Sequence, residues 1–338
     1  MAASDKFIYD SMAMRPSART WIKHLILLLI TFITATIAGT LYPFGFNMPF
    51  PEIADPQSLP ELFNLIATLP SAYLALVVNA VYQIAVNPSY LIYGLSFSLS
   101  LLFILTSHEM GHYIACRLYG VDATLPYFIP TPPMVGPAGT FGAFIKIRSP
   151  MPSRKAVFDI GVAGPIAGFI ALIPIAIIGV ATMQPAPAEQ LTSAGGIVFA
   201  NPVALKLLAP AFGVDLATYR TNAFTSAAWV GLLVTALNLI PSGQLDGGHA
   251  IYAMLGPMVH RWTGRIAFVV MALLSILGWF IYNSPSGFLL AILLGVMMRL
   301  GHPEPWDNSP LDLKRKMIAF LTVVIFLLSF VPFPIQIT

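Results

Sequence analysis

Hydrophobic residues are gathered in long segments along the chain, separated by short polar or Pro/Gly-rich stretches. A hydrocarbon layer of about 30 Å requires roughly 20 apolar residues in an α-helix. Several segments reach or approach this length, and each is a predicted span: Trp21–Leu41, Tyr90–Cys116, Val157–Thr182, Ala223–Ile240, Ile266–Tyr282, Gly287–Met298 and Ala319–Val331. The sixth is short enough to be partly re-entrant. The pattern predicts an all-α polytopic membrane protein with about seven transmembrane helices.

A further apolar segment, Ala72–Val86, has only about 15 residues, which at 1.5 Å per residue fall short of a crossing. We interpret it as an interfacial or re-entrant helix. Charge supports this layout. With the N-terminus on the cytoplasmic side, 15 of the 17 Lys and Arg residues fall inside, and only Lys206 and Arg220 fall outside. Counting Ala72–Val86 as a full span would scatter these charges over both sides and break the positive-inside pattern.

Composition agrees with a lipid environment, because 57% of the residues are hydrophobic and only 9% are charged, whereas a soluble domain carries about 25% charged residues. The net charge of +3 comes from dispersed basic residues, which argues against nucleic-acid binding. The single cysteine, Cys116, excludes an intramolecular disulfide framework.

No internal repeat is evident, and the predicted loops are too short for a separate module. We expect a cytoplasmic tail over residues 1–20 and one domain over residues 21–338, with a core at about 90–312. The first span is too long for a signal peptide and has no evident cleavage site. The absence of a long Ser/Arg-rich transit peptide favours a prokaryotic cytoplasmic membrane over a plastid membrane.

The second span contains the pattern His-Glu-x-x-His at His108, Glu109 and His112. Positions i and i+4 lie on one helical face, so both imidazoles can reach one zinc ion. Glu109 lies beside them, close enough to take a proton from a water that attacks a carbonyl group. Ionisable residues within a membrane helix are costly and indicate a functional site.

Catalytic zinc usually has three protein ligands, and Asp246 is the predicted third. It follows Pro241 and Gly243, which interrupt the chain at the end of the fourth span, on the same side as His112. Such irregular backbone is tolerated at membrane depth only within protein or around a cavity. The alternative for Asp246 is a helix N-cap before Gly247–Leu255.

These two motifs together resemble the site-2 protease family of intramembrane zinc metalloproteases, and in particular its compact EGY-like branch without a PDZ domain. The resemblance covers roughly residues 90–312 and extends through Gly139–Phe144, Ala163–Gly168 and Gly301–Pro305. It implies one zinc ion per chain held by His108, His112 and Asp246, with Glu109 as the catalytic glutamate. It implies that substrates are transmembrane segments of other proteins.

Two further expectations concern the substrate. Asn238 matches a family asparagine that binds the scissile carbonyl or steadies the substrate, and an amide donor there suits a developing oxyanion. The stretch Gly136–Ile147 alternates like a short strand. It resembles the family's edge strand, to which an unwound substrate is added as an extra strand near Gly139–Ile147. The alternatives are a helix-terminal role for Asn238 and an ordinary membrane-surface hairpin.

Other polar residues are interpreted without a catalytic role. His249 is assigned to packing or support of the site. His302, Glu304 and Asp307 are assigned to an inner loop, with a gating role as the alternative that the family resemblance implies. His24 and His260 are placed at membrane borders, Cys116 in the interior, and Asp159 at a helix N-terminus. Gly164 and Gly168 indicate close helix packing.

Rival functions are a transporter for a metal or small solute, a membrane zinc protease that takes a glutamate as third ligand, and an inactive scaffold. Transporters are often built from two related halves, and the glutamate of His-Glu-x-x-His would have no task in metal passage. The remaining glutamates lie in predicted loops or interfacial segments.

Overall fold

A computed structural model describes residues 16–46, 57–134, 137–187, 196–299, 302 and 304–337. The helices within these ranges are α1 (Ala18–Thr40), α2 (Leu59–Val86), α3 (Pro88–Leu118), α4 (Arg154–Ala181), α5 (Val203–Leu208), α6 (Ala223–Asn238), α7 (Asp246–Tyr282), α8 (Ser286–Met297) and α9 (Leu313–Ser329). Most of the predicted residues 1–20 tail, together with Gly136, Gly301 and Pro303, lies outside the described residues.

Most of these helices begin where the sequence offers a polar cap. The capping side chain accepts a hydrogen bond from a first-turn backbone N–H, which satisfies a group that has no partner within the helix. The caps are Ser17, Ser58, Asn87, Ser153, Asn222 and Asp312. Helix α7 is an exception, because Leu245 occupies its N-cap position and makes no such bond.

Five helices, α1, α2, α3, α4 and α7, are long and apolar enough to cross a membrane. The mostly helical, polytopic membrane fold is therefore confirmed. Three predicted spans fall on shorter helices: α6 has 16 residues, α8 has 12 and α9 has 17. The predicted span Ile266–Tyr282 is the second part of α7, which has 37 residues and bends at Gly256 and Pro257.

The length assigned to Ala72–Val86 is wrong. This segment is the second half of α2, whose 28 residues extend over about 42 Å. Pro70 lies within the helix and does not end it. However, the Phe46 and Tyr90 rings stack at 4.1 Å on either side of this segment. Residues 46 and 90, which flank α2 in the sequence, therefore lie close together.

The core is formed by α3 and α4, which pack along each other and against α6. One buried cluster joins Phe97 and Leu101 of α3 to Leu172 of α4 and Leu232 of α6. A second cluster lies further along α3 and α4, around Cys116 and residues 156–162. Residues 105–115 of α3 pass between the two clusters, so the His-Glu-x-x-His segment lies in the interior of the bundle.

A β-hairpin follows α3. Strand β1 (Tyr127–Pro130) pairs antiparallel with β2 (Thr140–Phe144), with Tyr127 opposite Phe144 and Phe128 opposite Ala143. A 3-10 turn at Pro137–Gly139 precedes β2. The predicted strand Gly136–Ile147 is thus present but shorter. The register shifts between Phe128 and Pro130, and there the Thr140 hydroxyl group donates to the Ile129 carbonyl oxygen at 2.9 Å.

Two pairs of short strands and one isolated bridge join parts of the chain that are distant in sequence. Strand β3 (Gln184–Pro185) pairs with β5 (Tyr219–Arg220), and β4 (Ile197–Phe199) with β6 (Ile335–Ile337). Elsewhere Ser153 forms a bridge with Asp307. In the predicted order of crossings, residues 199 and 335 lie outside, and residues 153 and 307 lie inside. The pairing of Phe199 with Ile335 and the bridge between Ser153 and Asp307 agree with this order.

Candidate active site and metal centre

Helix α3 carries His108, Glu109 and His112 on the surface that faces α4 and α6. All three are buried, with exposures of 4%, 6% and 7%. One helical turn separates the two histidines, and their Nε2 atoms lie 3.2 Å apart. Helix periodicity alone brings the two rings together, as the spacing of the motif predicted.

Asp246 joins them from the other side of an interrupted helix. Helix α6 ends at Asn238, and α7 begins at Asp246 after a loop that contains Pro241 and Gly243. The Asp246 Oδ2 atom is 3.2 Å from His108 Nε2, and its Oδ1 atom is 3.3 Å from His112 Nε2. Because Leu245 occupies the N-cap position, the Asp246 side chain turns into the bundle instead of capping the helix.

The dimensions of this triangle fit a zinc ion. Four ligands at about 2.0–2.1 Å in a tetrahedron lie about 3.3 Å from one another. The two Nε2 atoms lie 3.2 Å apart, and each lies close to that edge length from one Asp246 oxygen, His108 Nε2 at 3.2 Å from Oδ2 and His112 Nε2 at 3.3 Å from Oδ1. In addition, Asp246 Oδ2 is buried and accepts no hydrogen bond, although a buried carboxylate requires compensation. A cation held by the three side chains would supply it. Among the described residues, this is the one His/Cys/Asp/Glu group with such a geometry.

Helix α4 supplies no ligand, yet it fits closely around both imidazoles. The Ile160 carbonyl oxygen lies 2.7 Å from His112 Nδ1. If Nδ1–H donates to it, the Nε2 lone pair is left for a metal. A Cβ atom on Gly164 would lie 2.1 Å from His112 Nε2, and one on Gly168 would lie 3.0 Å from His108 Cβ. Glycine at both positions therefore provides the space that the imidazole rings occupy.

Glu109 and Asn238 complete the predicted set at the same place. The Asn238 Nδ2 atom is 3.3 Å from His108 Nε2. The peptide group of Ile145, just after β2, lies beside the Glu109 carboxyl group. The site therefore faces the hairpin, and all five predicted site residues meet between α3, α6 and α7.

Comparison with known proteins agrees with this geometry. The family model of peptidase family M50 matches residues 96–278, which is more than half of the chain and includes every residue of the site.

This chain belongs to peptidase family M50.

Relatives of this M50 chain carry matching descriptions. It is 31% identical over 175 residues to "Probable zinc metalloprotease EGY1, chloroplastic" of Arabidopsis thaliana, covering 50% of this chain and 31% of that protein. It is 26% identical over 256 residues to "Probable zinc metalloprotease EGY2, chloroplastic" of the same plant, covering 72% and 43%. The chain thus spans less than half of these relatives. No solved structure matches it.

The resemblance to the site-2 protease family and its EGY-like branch is therefore confirmed, and with it the predicted class of zinc metalloproteases. Among the described residues between α4 and α6, the elements are short strands, α5 and a 3-10 turn at Ala209–Phe212. These described residues form no unit of PDZ size.

Several contacts around the site of this M50 chain carried no recognisable sequence signal. A backbone carbonyl such as that of Ile160 leaves no mark on residue identity. His24 and His260, placed at membrane borders by the sequence, are buried. His24 Nδ1 lies 2.8 Å from the Pro126 carbonyl oxygen, and His260 Nε2 lies 2.9 Å from that of Gly243. The glycine pattern at 164 and 168 was noticed, but as general helix packing.

The interpretation of Asp159 as a helix N-terminal residue is wrong. Helix α4 begins at Arg154, so Asp159 lies in its second turn and forms a bidentate pair with Arg315 at 2.6 and 2.9 Å. The Tyr119 hydroxyl group donates to Asp159 and accepts from Arg315. Burial, and then the Asp159 carboxylate, raises the pKa of Tyr119. This network ties α9 to the ends of α3 and α4.

Proposed function

We propose that this chain is a zinc metallopeptidase that hydrolyses peptide bonds within transmembrane segments of other membrane proteins. The observation that carries the proposal is that His108, Glu109 and His112 are buried, with Asp246 partly buried beside them, among helices that are long and apolar enough to span a membrane. A catalytic group at this depth meets membrane-embedded peptides more readily than soluble ones.

The roles follow from the geometry. His108, His112 and Asp246 would hold one zinc ion per chain, since each offers one ligand atom and these atoms lie within 4.8 Å of one another. Zinc in such a site acts as a Lewis acid and brings the pKa of water near 7. Glu109 holds no position in the triangle, so its carboxylate is left to accept the proton of the attacking water and to return it to the leaving amine.

Asn238 is proposed to stabilise the developing oxyanion. Its amide nitrogen lies beside His108 at the edge of the triangle, where a peptide carbonyl would approach the metal. A fixed donor at an oxyanion contributes about 10²–10³ in kcat in other hydrolases. Asn238 is the last residue of α6, so the helix sets its position.

The substrate is proposed to bind as an additional strand near Gly139–Ile147. A helical peptide keeps its carbonyl groups in internal hydrogen bonds and must unwind before cleavage. An edge strand offers new partners to the released backbone. In support, β2 leads directly to Ile145 beside Glu109, and Phe141 is 58% exposed on β2.

We place the protein in a membrane with its N-terminus in the cytoplasm or an equivalent compartment. The expected prokaryotic cytoplasmic membrane has no support among the plant relatives. The names of the plant relatives place those proteins in chloroplasts, so a plastid membrane is the alternative, and localisation of a tagged chain in its source cells decides between them.

The test uses purified full-length chain with a single-span substrate in lipid vesicles. Wild type should bind one zinc ion and cleave. Glu109→Gln should bind zinc and not cleave, whereas Asp246→Ala should lose zinc and activity together. Full cleavage by Glu109→Gln would refute the mechanism. Zinc flux into the vesicles that persists in Glu109→Gln, without cleavage by wild type, would instead identify a transporter.

The strand proposal has its own test. A photo-crosslinking residue at Phe141 should capture the substrate in the Glu109→Gln background. The control is Phe103, a phenylalanine of similar exposure, 52%, on α3. Equal capture at the two positions would show contact by way of the lipid alone and would exclude strand addition at β2.

A further inference from the structure

Three histidines that are not in the proposed ligand set gather beside Asp246. His249 Nδ1 lies 2.7 Å from His302 Nε2, and the His302 ring stacks on Tyr252 with centroids 3.8 Å apart. His260 meets His302 edge-on at 5.5 Å and points its Nε2 atom to the Gly243 carbonyl oxygen. These nitrogens have separate partners instead of one common centre, so the cluster has the form of a support and not of a second metal site.

The helical turn that carries Asp246 is weak on its own. No side chain caps the start of α7, because Leu245 occupies that position. The two residues that follow Asp246 are Gly247 and Gly248, and glycine lowers helix stability relative to alanine. A ligand at such an uncapped end requires support from elsewhere, because a metal site tolerates ligand errors of only about 0.2 Å.

His249 is placed to give this support. It lies three residues after Asp246, on the same helical face, and its backbone N–H closes the first turn on the Leu245 carbonyl at 2.9 Å. Its Cβ atom would be 2.8 Å from a Cβ on Gly161. Gly161 follows Ile160, whose carbonyl oxygen lies 2.7 Å from His112 Nδ1. One short stretch of α4 therefore contacts both halves of the metal centre.

His302 reaches His249 from a loop that is itself anchored. After His302 the chain bonds to the start of α4: Trp306 N–H donates to the Met151 carbonyl at 3.2 Å, and Arg154 N–H donates to the Asp307 carbonyl at 2.7 Å. Tyr252 supports the other face of the His302 ring. The His302 imidazole is thus held by groups outside the turn that it contacts.

We propose that His302 is a positioning residue for Asp246. Its hydrogen bond holds the His249 ring, and His249 in turn sets the orientation of the first turn of α7 and so of the Asp246 carboxylate. This inference rests on the proposed zinc site. It assigns a task to a loop residue outside the proposed ligand set.

The experiment measures zinc affinity of the full-length chain by competition with a chromophoric chelator. His302→Ala should lower the affinity about tenfold, since loss of a group that orients a metal ligand typically costs 10–100-fold. His302→Gln keeps a donor and an acceptor at similar reach and should recover most of the loss. Tyr252→Phe keeps the stacked ring and should bind zinc like wild type.

A double-mutant cycle identifies the path. If His302 acts through His249, then His249→Ala and the double variant should lose the same affinity, because residues of one chain of contacts do not add. The cobalt-substituted protein provides a second signal. Its visible absorption should change in His302→Ala and return in His302→Gln, whereas a general loss of stability would leave the spectrum of folded protein unchanged.

Wild-type zinc affinity in His302→Ala, or losses that add in the double variant, would overturn the inference. Failure of the zinc site itself is distinguishable, because it would show as weak binding by wild type and no effect of His112→Ala. A lower unfolding temperature with unchanged affinity and cobalt spectrum would show that the histidine pair serves stability only, and would also overturn it.

Discussion

Gly164 offers a direct test of the metal-centre geometry, although it is not a ligand. A Cβ atom at this position would lie 2.1 Å from His112 Nε2 and 2.4 Å from Cδ2 of the same ring. Ordinary contact begins near 3.4 Å, so in Gly164→Ala the ring must retreat by about 1.3 Å, or α4 must move away from α3. Either movement is several times larger than the deviation of about 0.2 Å that is expected for metal–ligand distances in a zinc site.

We therefore expect Gly164→Ala to lower zinc affinity by more than tenfold and to lower cleavage with it. Gly168→Ala provides a graded comparison. Its Cβ would lie 3.0 Å from His108 Cβ, a shortfall of only about 0.4 Å that a small shift relieves. The expected order of zinc affinity is wild type, Gly168→Ala and then Gly164→Ala, measured by chelator competition.

Pro165 complicates the interpretation, because a residue with a Cβ before proline resists helical backbone. The matched controls are Pro165→Ala and the double variant Gly164→Ala/Pro165→Ala. The double variant removes the proline restriction and keeps the added methyl group, so it should still lose zinc, whereas Pro165→Ala should not. Wild-type affinity in the double variant would refute the proposed contact between Gly164 and the His112 ring.

Three further outcomes are expected. Asn238→Ala should lower kcat about 10²–10³-fold while zinc content, measured by elemental analysis, stays at one per chain; loss of zinc instead would make Asn238 a structural residue. Arg315→Met removes a charged partner of Asp159 and should lower stability by about 1–3 kcal/mol, seen as earlier thermal unfolding in detergent. The Arg315 backbone N–H lowers the pKa of Asp312. This carboxylate therefore stabilises the fold at neutral pH, and its contribution is lost as pH falls through the acidic range. Asp312→Asn should reduce that acid-induced loss of stability in unfolding curves recorded between about pH 6 and 3.

The sequence predicted the helical fold, and the residues that it selects for the candidate site lie together in the structure, for physical reasons that can be named. Apolar length marks α1, α3 and α4, and helix periodicity places His108 and His112 on one face. The start of α2 was not predicted, because only its apolar second half, Ala72–Val86, was identified as a segment; Pro70 lies within the helix, and proline within a membrane helix is tolerated when neighbouring groups compensate.

Contacts between residues that are far apart in the sequence could not be predicted from the hydrophobic pattern. The bond between His249 and His302 joins residues 53 positions apart, and nothing local to either distinguishes it from packing. The pair between Asp159 and Arg315 spans 156 positions. A single sequence carries the identity of such residues but not their distance. For this reason the ligands were predicted and the groups that hold them were not.

Helix α4 shows why this distinction matters for the mechanism. Its residues 160, 161, 164 and 168 contact, in turn, the His112 ring nitrogen, the turn that carries Asp246, the His112 ring and the His108 side chain. The proposed ligands come from α3 and α7, and α4 packs against both helices. A shift of α4 along its axis would therefore disturb all three ligands together, even though α4 contributes no atom to the triangle. If a substrate enters by displacing a helix, we expect that helix not to be α4, because its displacement would release zinc from the proposed site.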